Sequence, residues 1–146
     1  MLLVKHALPE INVEKSIAIH SDPIHGINSA SNYSKALPGA IRTYTIEATN
    51  TGQGVTENNS IWISDAIPAN TYMVLNDYDA ISGQGPVIEQ PVNPTSGLTY
   101  VFTSLNSTTD SIEFSDNNGL NFDYIPSPDG DGIDKTITHF RINPTG

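Results

Sequence analysis

The residues best spaced to do chemistry are three carboxylates in the stretch Asp129-Gly130-Asp131-Gly132-Ile133-Asp134. Asp129, Asp131 and Asp134 on a glycine-permitted turn could wrap a hard cation that takes oxygen ligands, which makes calcium the candidate metal. The stretch is not an EF-hand loop, because Ile133 stands fifth, Asp134 replaces the glycine at position six, and no glutamate closes it. The competing reading is a solvated acidic turn between strands. His20, Asp22 and His25 offer two imidazoles and a carboxylate within six residues, yet Asp22-Pro23 and Gly26 are equally well explained by turn geometry. Asp77 and Asp79 could pair as acid and base, but they lie in a polar segment that gives no sign of the burial needed to raise one pKa. No nucleophile elbow, phosphate-binding loop or zinc-protease helix occurs, so an enzyme is not expected.

The single tryptophan, Trp62, stands between Ile61 and Ile63. Alternation along a strand puts it on the face opposite those two, as a core residue or as a stacking platform for a sugar. The second reading makes the chain an adhesive module that recognises carbohydrate or a host or cell surface, with calcium as an optional support and no cofactor required.

Composition narrows the partners. Sixteen acidic residues against six basic ones give a formal charge of -10, which repels nucleic acid over most of the surface. No run approaches the ~20 apolar residues of a membrane-spanning helix, and no cysteine is present to form a disulfide. Only 15% of residues are charged; polarity comes instead from 14 Asn, 14 Ser and 14 Thr, a mix suited to strands and turns in an extracellular β-protein. Met1-Leu2-Leu3-Val4 is too short to be an intact export signal, so a leader peptide is expected to be missing from this sequence.

Alternation with period two positions these residues. Ile11, Val13, Ile17 and Ile19 share one face of a strand, interrupted by Lys15; Tyr44, Ile46 and Ala48 alternate with Thr43, Thr45, Glu47 and Thr49. Residues 22–40 and 76–97 are rich in turn formers. Between and after them come apolar runs at 61–67 and 72–75, then alternation at 98–102. Ile112 and Phe114 lead into the turn Asp116-Asn117-Asn118-Gly119, and Phe122 and Tyr124 lead out. A last alternating run covers 137–142. Seven to nine strands in an all-β antiparallel sandwich are expected.

Two stretches carry a resemblance. Pro38-Gly39 turns into Tyr44-Thr45-Ile46 and stops at Asn50-Thr51-Gly52; Ile61-Trp62-Ile63 then runs into Asp65-Ala66-Ile67-Pro68-Ala69. In this order they resemble the bacterial and archaeal conserved-repeat surface domains, known as domain of unknown function eleven. Ser96-Gly97-Leu98-Thr99-Tyr100, Phe114-Ser115-Asp116 and the tail from Asp129 to Pro144, with its Thr138-His139-Phe140-Arg141-Ile142-Asn143-Pro144, resemble a subset of secreted marine bacterial proteins. The resemblance implies an immunoglobulin-like sandwich at the cell surface or outside the cell, with no catalytic residues to carry over. Asn50 is expected to bond its corner through the side chain, and Gly52 to supply a left-handed conformation. On this basis residues 11–146 form one domain, preceded by a segment 1–10. Leu2, Leu3, Val4 and Leu8 make that segment apolar enough to pair as a strand, either within its own sandwich or on the sheet edge of a further copy. The expected function is a non-enzymatic extracellular structural protein whose subunits associate into an oligomer or filament.

Overall fold

The computed structural model describes residues 5–90 and 95–146. Its elements are all β except for one 3-10 turn at Tyr78–Ala80: β1 (Ile11–Asp22), β2 (Gly26–Ile27), β3 (Ile41–Asn50), β4 (Ile63–Ala66), β5 (Ile112–Ser115) and β6 (His139–Ile142). They form two three-stranded antiparallel sheets, β2-β1-β3 and β4-β6-β5. Each sheet belongs to one of two compact units, Met1–Val55 and Thr56–Gly146.

The first unit is built on the long ribbon of β1 and β3. Their register runs from Ile11 opposite Asn50 to Ile19 opposite Arg42, with an irregularity before Ser21. Directly opposed residues share a face, so Ile11, Val13, Lys15, Ile17 and Ile19 line up with Asn50, Ala48, Ile46, Tyr44 and Arg42. The other face carries Glu14, Ser16, Thr45, Glu47 and Thr49. β2 adds only two residues, inside a stretch whose composition reads as loop. Asp22 makes that pairing possible: its Oδ1 accepts the N–H groups of Ile24 and His25, both at 2.7 Å, and its Oδ2 accepts that of Lys35 at 2.5 Å. Gly26, at φ 74°, completes the reversal.

At the far end of the ribbon, Asn50 Oδ1 accepts the N–H groups of Gly52 (3.0 Å) and Glu10 (3.1 Å), and Nδ2 donates to the Gly54 carbonyl (2.7 Å). The expected left-handed Gly52 is not found: the positive-φ glycines do not include it. Glycine is needed there for close approach, since a Cβ would strike the backbone of Leu8, Pro9 and Glu10; at Gly54 it would strike Ala7 and Leu8.

The second unit holds the apolar core, with Leu75, Ile112, Phe114 and Ile137 buried and Ile67, Met73, Val87, Phe140 and Ile142 packed around them. In the sheet, Ile112 and Phe114 of β5 oppose Ile142 and Phe140 of β6, which places all four on the core face. Glu113, Arg141 and Ser64 share the opposite face. The expected turn after β5 is present, with Asn118 at φ 62° and Gly119 at φ 76°. Ser115, fully buried, accepts the Gly119 N–H through its hydroxyl at 3.0 Å and donates to Asn117 Oδ1 at 2.9 Å. The returning chain makes one bridge, Tyr124 to Phe114, and the runs at 72–75 and 98–102 likewise make one bridge each, Val74 to Ile133 and Thr99 to Thr145. Among the described residues the paired strands number six, with these bridges beside them.

Candidate functional site

The acidic turn is organised by two of its carboxylates in different ways. Asp129 Oδ1 accepts the N–H groups of Asp131 (3.0 Å) and Ile133 (3.1 Å), closing a small loop, while the Gly132 carbonyl accepts the Leu75 N–H at 2.8 Å. Asp134 is buried and turned to other work. Its Oδ2 accepts the Tyr124 hydroxyl and the Ser127 N–H, both at 2.8 Å, and Oδ1 accepts the Thr136 N–H at 2.9 Å. Burial alone would raise its pKa; the hydrogen bonds from Ser127, Thr136 and Tyr124 outweigh that and hold the carboxyl below its ordinary range. The same bond pushes the Tyr124 phenol upward. Asp131 remains exposed. Among the described residues no three His, Asp or Glu side chains come together as a metal-holding group.

Asp77, Asp22 and His25, singled out from the sequence, are also tied into loops, and so is Asp110, which was not. Asp77 accepts Gly83 N–H (2.9 Å) and Gly85 N–H (2.8 Å). His25 Nδ1 lies 2.9 Å from Asp22 Oδ2, and burial of Asp22 is overcome by its hydrogen bonds from His25, Lys35 and Ile24, so its pKa is strongly lowered. Asp110 follows the same pattern: burial is opposed by the N–H groups of Thr103 and Ser104, and the pKa falls.

Of the residues expected to drive self-association, Leu2, Leu3 and Val4 lie outside the described residues. Leu8 is exposed, and its carbonyl accepts the Gly54 N–H at 3.0 Å, while the Glu10 carbonyl accepts that of Thr51 at 2.7 Å. The end of the N-terminal segment therefore runs along the Asn50–Gly54 corner of its own unit.

The apolar face of the ribbon is open. Ile11, Val13, Ile17 and Tyr44 are 43%, 59%, 52% and 38% exposed, and Lys15 lies 4.8 Å from the centre of the Tyr44 ring. Among the described residues of the first unit only Asp22 is buried, so no apolar side chain there is. This was not visible in the sequence, where the alternation of Ile11–Ile19 reads like any half-buried strand.

Trp62 is 52% exposed, which removes the core reading. The reason is parity: Ile61, Ile63 and Ile67 turn partly inward, so Trp62, Ser64 and Ala66 turn outward. The Arg141 guanidinium lies 4.5 Å from the centre of the Trp62 ring and 4.5 Å from that of Phe122, and Glu113 Oε2 accepts Arg141 Nε at 2.5 Å. Beside the indole is a cleft of about 240 Å³, lined among others by Asp110, Glu113, Thr108 and Asn143. Asn143 donates its side-chain amide to the Ile61 carbonyl at 2.7 Å, fixing the chain just before Trp62. Comparison with known proteins adds nothing to this geometry: no family model, no curated protein and no solved structure matches the chain.

Proposed function

We propose that the chain is a non-catalytic, extracellular structural subunit that associates with further copies of itself through the β1–β3 ribbon. One observation carries the reading: the first unit has a largely apolar, exposed strand face and, among its described residues, no buried apolar side chain. A two-stranded ribbon is marginal in water by itself and gains stability when its apolar face is covered. Among the described residues most of β1 pairs only with β3, and β3 only with β1, which leaves outer edges there on which a further strand could add.

Charge favours a second copy as the occupant. The first unit has four basic and four acidic residues, whereas the second has two basic and twelve acidic, so the whole formal charge of -10 belongs to the second. The apolar face carries Lys15 and Arg42 and no carboxylate. Docking this face on the acidic unit of the next molecule pairs unlike charge and gives a head-to-tail contact, which propagates into a filament unless its rotation closes a ring. An immunoglobulin-like sandwich is the fold proposed, on the resemblance of residues 38–52 and 61–71 to conserved-repeat surface domains. The non-catalytic reading rests on Asp22, Asp77, Asp110, Asp129 and Asp134, each of which accepts N–H donors of its own loop.

Sedimentation velocity over a concentration series, with negative-stain microscopy, tests the proposal. Wild type is expected to form larger species as concentration rises and to lose them in high salt. Val13→Glu with Ile17→Glu should leave a monomer, each change weakening association by roughly ten-fold or more. A wild type that stays monomeric throughout, or a double variant that assembles like wild type, refutes it.

A further inference from the structure

We infer that the cleft beside Trp62 is a binding site for a single neutral pyranose ring. Three features of the second unit carry this, independently of the self-association described above. The first is the indole itself, half-exposed at the wall of a concavity and held in place rather than loose. Arg141 stacks on it, Phe122 stacks on Arg141, Glu113 anchors the guanidinium, and Asn143 ties down the preceding backbone. An aromatic surface fixed before the ligand arrives loses little entropy on binding. The C–H face of a pyranose is apolar and flat enough to lie on it.

The second feature is size. A volume of about 240 Å³ is below the ~300 Å³ where pockets for drug-sized ligands begin. It suits one ring, such as a chain end or a branch, rather than an extended ligand.

The third is the polar inventory. Glu113 commits Oε2 to Arg141 and retains Oε1 as an acceptor. Asn143 spends its amide nitrogen on backbone carbonyls and retains its side-chain oxygen. Thr108 adds a hydroxyl that can donate or accept. Hydroxyl groups around a ring are the complement to that set. Asp110 and Glu113, on a unit that carries the whole net charge of -10, select against phosphates and sugar acids and so favour a neutral ligand.

Trp62 is the only tryptophan, so emission of the full chain excited beyond the tyrosine absorption reports on this site alone. Titration with the methyl glycosides of glucose, galactose and mannose and with N-acetylglucosamine should give, for at least one, a saturable emission change at roughly millimolar concentration. Glucuronic acid should bind at least ten-fold more weakly than the matching glucoside. Ligand-observed NMR should show the signal lost in Trp62→Ala and weakened several-fold in Glu113→Gln. The wild-type titration decides the matter even if a variant fails to fold. No saturable change with any of the four neutral sugars, binding retained by folded Trp62→Ala, or glucuronic acid bound as well as glucoside would each overturn the inference.

Discussion

Replacing Asp134 by alanine and, separately, Asp131 by alanine distinguishes a loop built by hydrogen bonds from one built around a cation. Asp134 is buried and accepts three hydrogen bonds as an ion; Asp131 is exposed, and its part in the loop is its backbone N–H. Hydrogen bonds to a charged partner are worth ~1.5–3 kcal/mol each, but Ser127 and Thr136 are exposed and their N–H groups can recover water. Counting about 1 kcal/mol for each of those and for the less accessible Tyr124 hydroxyl gives a loss of about 3 kcal/mol for Asp134→Ala. The second unit, Thr56–Gly146, has 91 residues, for which 1 kcal/mol corresponds to ~4–8 °C, so its Tm should fall by about 12–24 °C. Asp131→Ala should stay within ~0.5 kcal/mol of wild type. Calorimetry with calcium and with a chelator reads both. Equal losses for the two variants, or a Tm raised by calcium and lowered only then by Asp131→Ala, would refute this account and restore the cation.

Two further outcomes follow from the first unit. Gly52→Ala forces a Cβ into the backbone of Leu8 and Glu10, so residues 7–10 should come away from the corner; faster amide exchange at Thr51 and Gly54 checks this, and unchanged exchange counts against it. Asp22 has a lowered folded-state pKa, so its contribution is present above the unfolded value of about 3.9 and is lost as pH falls toward the folded one. Amide protection at Ile24, His25 and Lys35 should therefore fall below about pH 4, and Asp22→Asn should show reduced protection already at neutral pH.

The ribbon was legible because its alternation is long on both strands, from Ile11 to Ile19 with Lys15 the one break and from Thr43 to Thr49. The hairpin turn after β5 was legible from Asn118-Gly119 alone. Alternation at 98–102 misled: Ser111 Oγ accepts the Val101 N–H at 2.9 Å, and the Ser111 N–H takes the Val101 carbonyl, so a side chain occupies a position that a ladder would need. The two-residue β2 was hidden because its cause, the Asp22 carboxylate reaching Lys35, spans thirteen residues. In the acidic turn the three aspartates look alike in sequence. Only tertiary structure brings Tyr124 and Ser127 to Asp134 and leaves Asp131 in solvent. The outward Trp62 follows from parity with Ile67 as well as with its neighbours, but parity does not reveal which side is buried.

The unequal distribution of apolar packing has a consequence for how such a chain comes apart. The second unit owns its interior, and its melting is a property of the molecule. Among the described residues the β1–β3 ribbon has no buried apolar side chain, so, on the proposed self-association, its persistence would follow mass action and rise with protein concentration. Dilution alone would then loosen the first unit while the second stays intact.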